Sequence, residues 1–210
     1  MIATPDVMTL LRESTAAHHQ RAEGHRFQRA LAKGDLETAG YVAWLGQMRL
    51  VHAGLESALT RLLQAEPALA DLLGDDWRKV PHLEADLAHF GAEPRDVAPL
   101  PGTARLLDEI ASLLATEPRA LLGMYYVLEG STNGGRYIAR GVRRTFGLET
   151  RGVSYLDPYG ESQREHWLGF KSRMGALAIG DEEAHAMVAA AQTMFDGIAA
   201  LSEDLAASAL

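Results

Sequence analysis

The sequence predicts an all-α fold, and three observations carry that expectation. Apolar residues recur at helical spacing along nearly the whole chain, alanine and leucine dominate while β-branched residues are sparse, and no stretch alternates with the period of two of a half-buried strand. The elements follow in order. "TPDVMTLLRESTAAHHQRAEGHRFQRAL" reads as one long helix, or as two with a break near Gly24. Asp35 is placed to cap the next, "DLETAGYVAWLGQMRLVHAGLESALTRLLQ". "PALADLL" and "DWRKVPHLEADLAHF" are shorter pieces split by Gly74 and Pro81, and "EPRDVAPLPGTA", with three prolines, is the clearest loop. "TARLLDEIASLLA" and "EPRALLGMYYVLEGSTNGGRYIARGVRRTF" return to helix, "ETRGVSYLDPYGES" is an irregular connection, and "GESQREHWLGFKSRMGALAI" and "DEEAHAMVAAAQTMFDGIAALSEDL" are the last two helical stretches. The expectation is seven to nine helices in one domain spanning residues 1–210, with no internal repeat and no low-complexity segment.

Composition narrows the chemistry. A chain of 210 residues is long enough to bury a sizeable core. Its net charge of −8 sets the surface against DNA and anionic lipid, and no Lys/Arg run stands out, so neither nucleic acid nor membrane is an expected partner. Cysteine is absent, which excludes disulfides, Fe–S clusters and thiolate ligands; a metal must be held by histidine, carboxylate or a ligand's own nitrogens. The start "MIATPDVMTLLRE" lacks the basic region and apolar core of a secretory signal, and no run of about 20 apolar residues occurs. The expected location is cytoplasmic.

Two constellations carry chemistry. "HHQRAEGH", residues 18–25, places three histidines and a glutamate in eight positions. Leu11, Thr15, His19, Glu23, Phe27 and Leu31 are spaced by four and form one slowly drifting stripe, which points His19 toward the interior. Glu23, one turn beyond, is placed to accept from one ring nitrogen and leave the other neutral for a metal. Arg12 lies on nearly the same face and suits an anionic group. The same i, i+4 pair is equally an ordinary solvated helix pair. His18 and His25 lack such a partner and are expected at the surface. The second constellation is "YYVLEGSTNGGRYIAR", where a helical pattern runs through Gly130, Gly134 and Gly135. Each interior glycine costs a helix about 1 kcal/mol relative to alanine. Either the helix ends and restarts there, or something presses against a face without side chains. Of the cations that follow, Arg136, Arg140, Arg143 and Arg144, most are expected in solvent.

Together these segments resemble the heme oxygenase family, especially its bacterial members. "LLRESTAAHHQRAEGHRF" is similar to the family's proximal segment and "YVLEGSTNGG" to its glycine-rich distal helix. "FKSRMGALAIGDEEAHAMVAAAQTMFDGIAALSEDL" is similar to its C-terminal helix pair. The resemblance spans most of the chain in the right order. It implies a heme-oxygenase-like helical bundle, with His19 as the heme-iron ligand and Glu23 as its hydrogen-bonding partner. Arg12, Tyr125 and Lys171 are implied near the heme propionates, Phe195 as an aromatic wall, and Gly130, Gly134 and Gly135 as the distal glycines. Ser131 stands where well-studied members carry aspartate, Asn133 replaces a small or apolar residue, and Trp167 takes the place of a basic propionate partner. The implied reaction opens heme, as cofactor and substrate at once, to biliverdin, CO and ferrous iron. It uses O2 and an external electron donor such as ferredoxin or a flavoprotein reductase, and a biliverdin-using photoreceptor is a further implied partner.

Two other readings share these residues. A heme or biliverdin carrier without catalysis accommodates Ser131 and Asn133. A non-heme di-iron oxidase on the same fold would use acid-x-x-His pairs such as Asp86 with His89 and Glu182 with His185.

Overall fold

A computed structural model describes residues 6–209, and every regular element among them is helical. Helix α1 (Val7–Gly24) starts at Asp6, whose carboxylate accepts the N–H groups of Met8 and Thr9. Thr4 and Pro5, the start of the expected helix, lie outside the described residues. The break falls at His25, in extended backbone, whose ring Nδ1 accepts the N–H of Phe27 at 3.3 Å and so caps α2 (Arg26–Lys33). Gly34, at φ 75°, closes α2 in the left-handed conformation that glycine adopts without a Cβ penalty. Asp35 does not cap the next helix. Glu37 precedes α3 (Thr38–Ala65) without a side-chain cap, and the buried Leu36 fixes the entry instead.

Pro81 begins a helix rather than splitting one: it sits in the first turn of α4 (Val80–His89), where its missing N–H costs nothing. Pro101 does the same for α5 (Pro101–Thr116). Then come α6 (Leu121–Phe146), α7 (Gln163–Gly175) and α8 (Asp181–Ala209), giving eight α-helices among the described residues. Short 3₁₀ turns at Pro67–Leu69, Pro94–Asp96, Pro118–Ala120 and Gly160–Ser162 mark the connections.

Helix α8 is the spine. It packs along α6, α1 and α5, while α3 packs on α4 and α5. Small residues set how near the helices come: a Cβ at Gly123 of α6 would enter the Met187 carbonyl, and one at Gly102 of α5 would lie 2.6 Å from the Leu201 nitrogen. The buried apolar side chains form one continuous cluster, with Leu11, Phe27, Leu45, Leu59, Leu121 and Met194 all fully enclosed. Each large apolar side chain so enclosed contributes about 1.5–3 kcal/mol. Helices α1 and α6 both lean on α8 without packing closely on each other, and a cleft separates them.

Candidate active site

The cleft has a volume of about 910 Å³. Its first wall is α1, with Arg12, Thr15, His19 and Glu23. Its second is α6, where Tyr126, Gly130, Gly134 and Ile138, spaced by four, form one stripe. Trp44 and Met48 of α3, Phe195 of α8, Trp167 of α7 and Tyr155 also line it.

His19 does not enter the core as its stripe suggests. Leu11 and Thr15 are buried, but the side chain of His19 is 55 % exposed and opens into the cleft. The stripe leaves the core at this rung, and Phe27 returns to it because the chain bends at His25. Nε2 of His19 lies 3.6 Å from Glu23 Oε1, longer than a hydrogen bond, so the ring is not tied down. Its ring is edge-on to Phe195, with centroids 5.7 Å apart.

The two neighbouring histidines lie near the surface but are half-buried and paired. His18 Nδ1 lies 3.0 Å from Asp196, and His25 Nε2 lies 2.9 Å from Glu203. Both carboxylates belong to α8, which covers that side of α1 and takes the two imidazoles out of contention as free ligands.

Helix α6 runs unbroken through its glycines, so the reading of an end and a restart fails. The three glycines do different work. A Cβ at Gly134 would meet nothing within 4 Å, since that position faces the cleft, and at Gly130 it would rest 3.5 Å from the Trp167 ring. At Gly135 it would collide with the Leu156 carbonyl, because the connection after α6 presses there. The hydroxyls of Ser131 and Thr132 donate to the carbonyls of Leu128 and Glu129, each at 2.6 Å. Asn133 Nδ2 donates to the Gly130 carbonyl at 2.9 Å.

Tyr125 turns away from the cleft. It is 5 % exposed and its hydroxyl donates to Glu129 Oε2, so a role at the propionates does not fit its position; its neighbour Tyr126 lines the cleft instead. Lys171 is not among the lining residues either, its ammonium standing 5.7 Å from the centroid of the Trp167 ring that is. Arg12 lines the cleft and pairs with Glu13 at 3.2 Å. Of the four arginines on α6, Arg136 and Arg143 pair with Asp157, and Arg140 lies over the Tyr137 ring.

A buried polar network backs the α6 wall, and sequence patterns gave little sign of it. Lys79, 2 % exposed, donates to Glu129 Oε2, the Tyr159 hydroxyl and the Trp77 carbonyl. Burial pushes its ammonium pKa down, against the upward pull of Glu129. On α3, His52 lies one rung beyond Trp44 and Met48, between the Tyr155 hydroxyl and Glu56. That i+4 stripe was the available signal; Tyr155 sits in an irregular connection and offered none.

The di-iron pairs do not assemble. Asp86 is buried and accepts from the Ser154 and Tyr155 backbone and the Ser154 hydroxyl, while His185 is exposed and bonds its own helix. Among the described residues, no three His, Asp or Glu side chains come together to hold a metal ion. Nor is any described helix long and apolar enough to cross a membrane.

Known proteins share this architecture. The heme oxygenase from Xanthomonas campestris pv. campestris is 31 % identical over 172 residues, 79 % of this chain and 90 % of that protein. The solved heme oxygenase of Leptospira interrogans superposes with a TM-score of 0.86 at 25 % identity, covering 94 % of this chain and 98 % of that one. Heme oxygenase-1 of Synechocystis, solved in complex with heme, has a TM-score of 0.88 at 21 % identity, over 97 % and 94 % of the two chains. The family model for heme oxygenase matches residues 6–204, a span that holds both walls of the cleft, and the chain belongs to the heme oxygenase family.

Proposed function

We propose that the cleft between α1 and α6 binds heme and that the protein opens it to biliverdin with release of CO and ferrous iron. The observation that carries this reading is the pairing of the two walls. An imidazole not tied by a hydrogen bond stands on one, and the side-chain-free face at Gly130 and Gly134 on the other. The fit to a flat tetrapyrrole is physical: the volume suffices, the lining is mostly apolar and aromatic, and the glycines admit a ring to van der Waals contact with backbone.

His19 is the residue to hold the iron, with Glu23 within reach to orient the ring. Arg12 supplies the permanent positive charge among the lining residues, and Tyr126 lies near it, so acidic substituents belong at that end. Trp167, Phe195 and Met48 enclose the ring and exclude water. Heme, when bound, supplies the oxygen chemistry; an imidazole ligand leaves its iron less electron-rich than a thiolate would. Ser131, its proton spent on a helix carbonyl, meets water in the cleft as an acceptor, whereas the Thr132 oxygen already accepts from Gln163 Nε2 at 2.7 Å. Electrons come from an external donor, ferredoxin or a flavoprotein reductase, in the cytoplasm, and the product suits a biliverdin-using photoreceptor.

The test adds hemin, then ascorbate in air. A Soret band that fades into biliverdin absorption is expected. A Soret band that persists would make the protein a carrier, and its absence on mixing would remove heme from the account.

A further inference from the structure

The two cleft-facing glycines of the α6 stripe have different neighbours. A Cβ at Gly134 would meet nothing within 4 Å, whereas at Gly130 it would stand 3.5 Å from Cη2 and 3.8 Å from Cζ3 of Trp167. Those atoms belong to the carbocyclic edge of the indole, remote from its N–H, so it is this edge that faces the Gly130 rung of the cleft. The indole is well supported. Its helix α7 packs on α6 and α1, and its ring centroid lies 5.8 Å from those of Tyr126 and of the fully buried Phe170. Lys171 does not line the cleft; its ammonium lies over the indole instead. Among the described residues that line the cleft, Arg12 alone carries a permanent positive charge. Its field reaches Tyr126, so the guanidinium and the aromatic pair share one end of the cleft, charged on the α1 side and uncharged where α6 meets α7.

We propose that Trp167 sets the in-plane orientation of the flat ligand. It reserves the corner at the Gly130 rung for an apolar substituent and leaves the acidic groups to Arg12. This deepens the heme reading and rests on it, since heme supplies a ring with two acidic substituents on neighbouring pyrroles and methyl or vinyl groups elsewhere. A carboxylate turned against the indole edge loses water and gains neither a cation nor an N–H donor. The weakly positive rim of an aromatic ring offers it far less than a guanidinium does, while a methyl or vinyl group packs there without loss. Orientation in the plane decides which bridging carbon lies toward the open backbone at Gly134. Trp167 therefore acts on the choice of product isomer without touching the iron ligand.

The test is proton NMR of the hemin-loaded protein as its ferric cyanide complex. The shifts of the ring methyl groups report how the ring is turned relative to the axial imidazole, and nuclear Overhauser contacts identify the substituent beside Trp167. Contacts from the indole carbocycle to a methyl or vinyl group are expected; contacts to a propionate methylene overturn the proposal. Trp167→Phe should keep the wild-type methyl pattern. Trp167→Lys brings an ammonium to the Gly130 rung and should lower the ratio of the wild-type orientation to others about tenfold, with hemin still bound. A wild-type pattern in Trp167→Lys overturns the role of Trp167 and leaves the heme reading standing. The absence of a Soret band on mixing overturns both. In turnover the ratio of biliverdin isomers should follow the methyl pattern, and a ratio that ignores it overturns the effect on product choice.

Discussion

The chain writes His-x-x-x-Glu twice, as His19–Glu23 on α1 and as His52–Glu56 on α3, with closest N–O distances of 3.6 and 3.7 Å. The spacing is the same and the surroundings are opposite. The side chains of the first pair are 55 % and 71 % exposed; those of the second, 7 % and 10 %. Exposure in a cleft leaves the first imidazole able to take a ligand from outside. Burial commits the second to partners within the protein and holds it neutral, because a charged ring there would lose its hydration. The helix repeat makes the pair; packing decides what the pair does.

Substitutions at the two sites should therefore separate binding from stability. His19→Ala is expected to abolish the axial ligation seen in the hemin spectrum while leaving the thermal midpoint near wild type; His18→Ala and His25→Ala should keep the ligation. A wild-type spectrum from His19→Ala would break the contrast outright. Lys79→Ala should cost about 3–5 kcal/mol in urea unfolding, since it strands Glu129 in the core. A loss under 1 kcal/mol would show the network to be wetter than its burial indicates. His52→Ala should cost about 2–3 kcal/mol, from the cavity and the partner left at Tyr155, with the axial ligation retained. Glu23→Ala should change stability by less than about 0.5 kcal/mol.

Acid sharpens the same comparison. Burial is the largest influence lowering the pKa of both His52 and His82 below the ordinary 6.5. Below that pH the unfolded chain takes up protons that the folded imidazoles resist, so stability is full above about 6.5 and declines as pH falls toward the folded values. Melting temperatures from pH 7.5 down to 5 should show this decline, and His52→Gln should flatten it. An equal slope in that variant would place the proton uptake elsewhere.

Much of the frame was legible. Helical periodicity gave α1 through α8 with boundaries near those observed, because amphipathic spacing reports burial along a single element. Part of the cleft lining was legible too, since His19, Glu23 and the glycines of α6 lie within two continuous segments. Tyr125 and Tyr126 show where such reading stops. Adjacent positions on a helix point about 100° apart, and only the placement of α7 and of the Trp77 segment shows that Tyr126 meets the cleft while Tyr125 meets Glu129. His18 and His25 carry the same lesson, for their partners lie some 178 residues away on α8.

The sequence by itself determined the all-helical class, the absence of thiolate chemistry and the presence of two His-x-x-x-Glu pairs at helical spacing. Each follows from residue identity or from a repeat within one helix. Only the tertiary structure decided which of two like His–Glu pairs opens to a ligand, which glycine faces the cleft and which a carbonyl, and that Lys79 is buried on Glu129. Those outcomes depend on which elements pack against which, and burial, hydration and hydrogen-bond partners are set by neighbours distant along the chain.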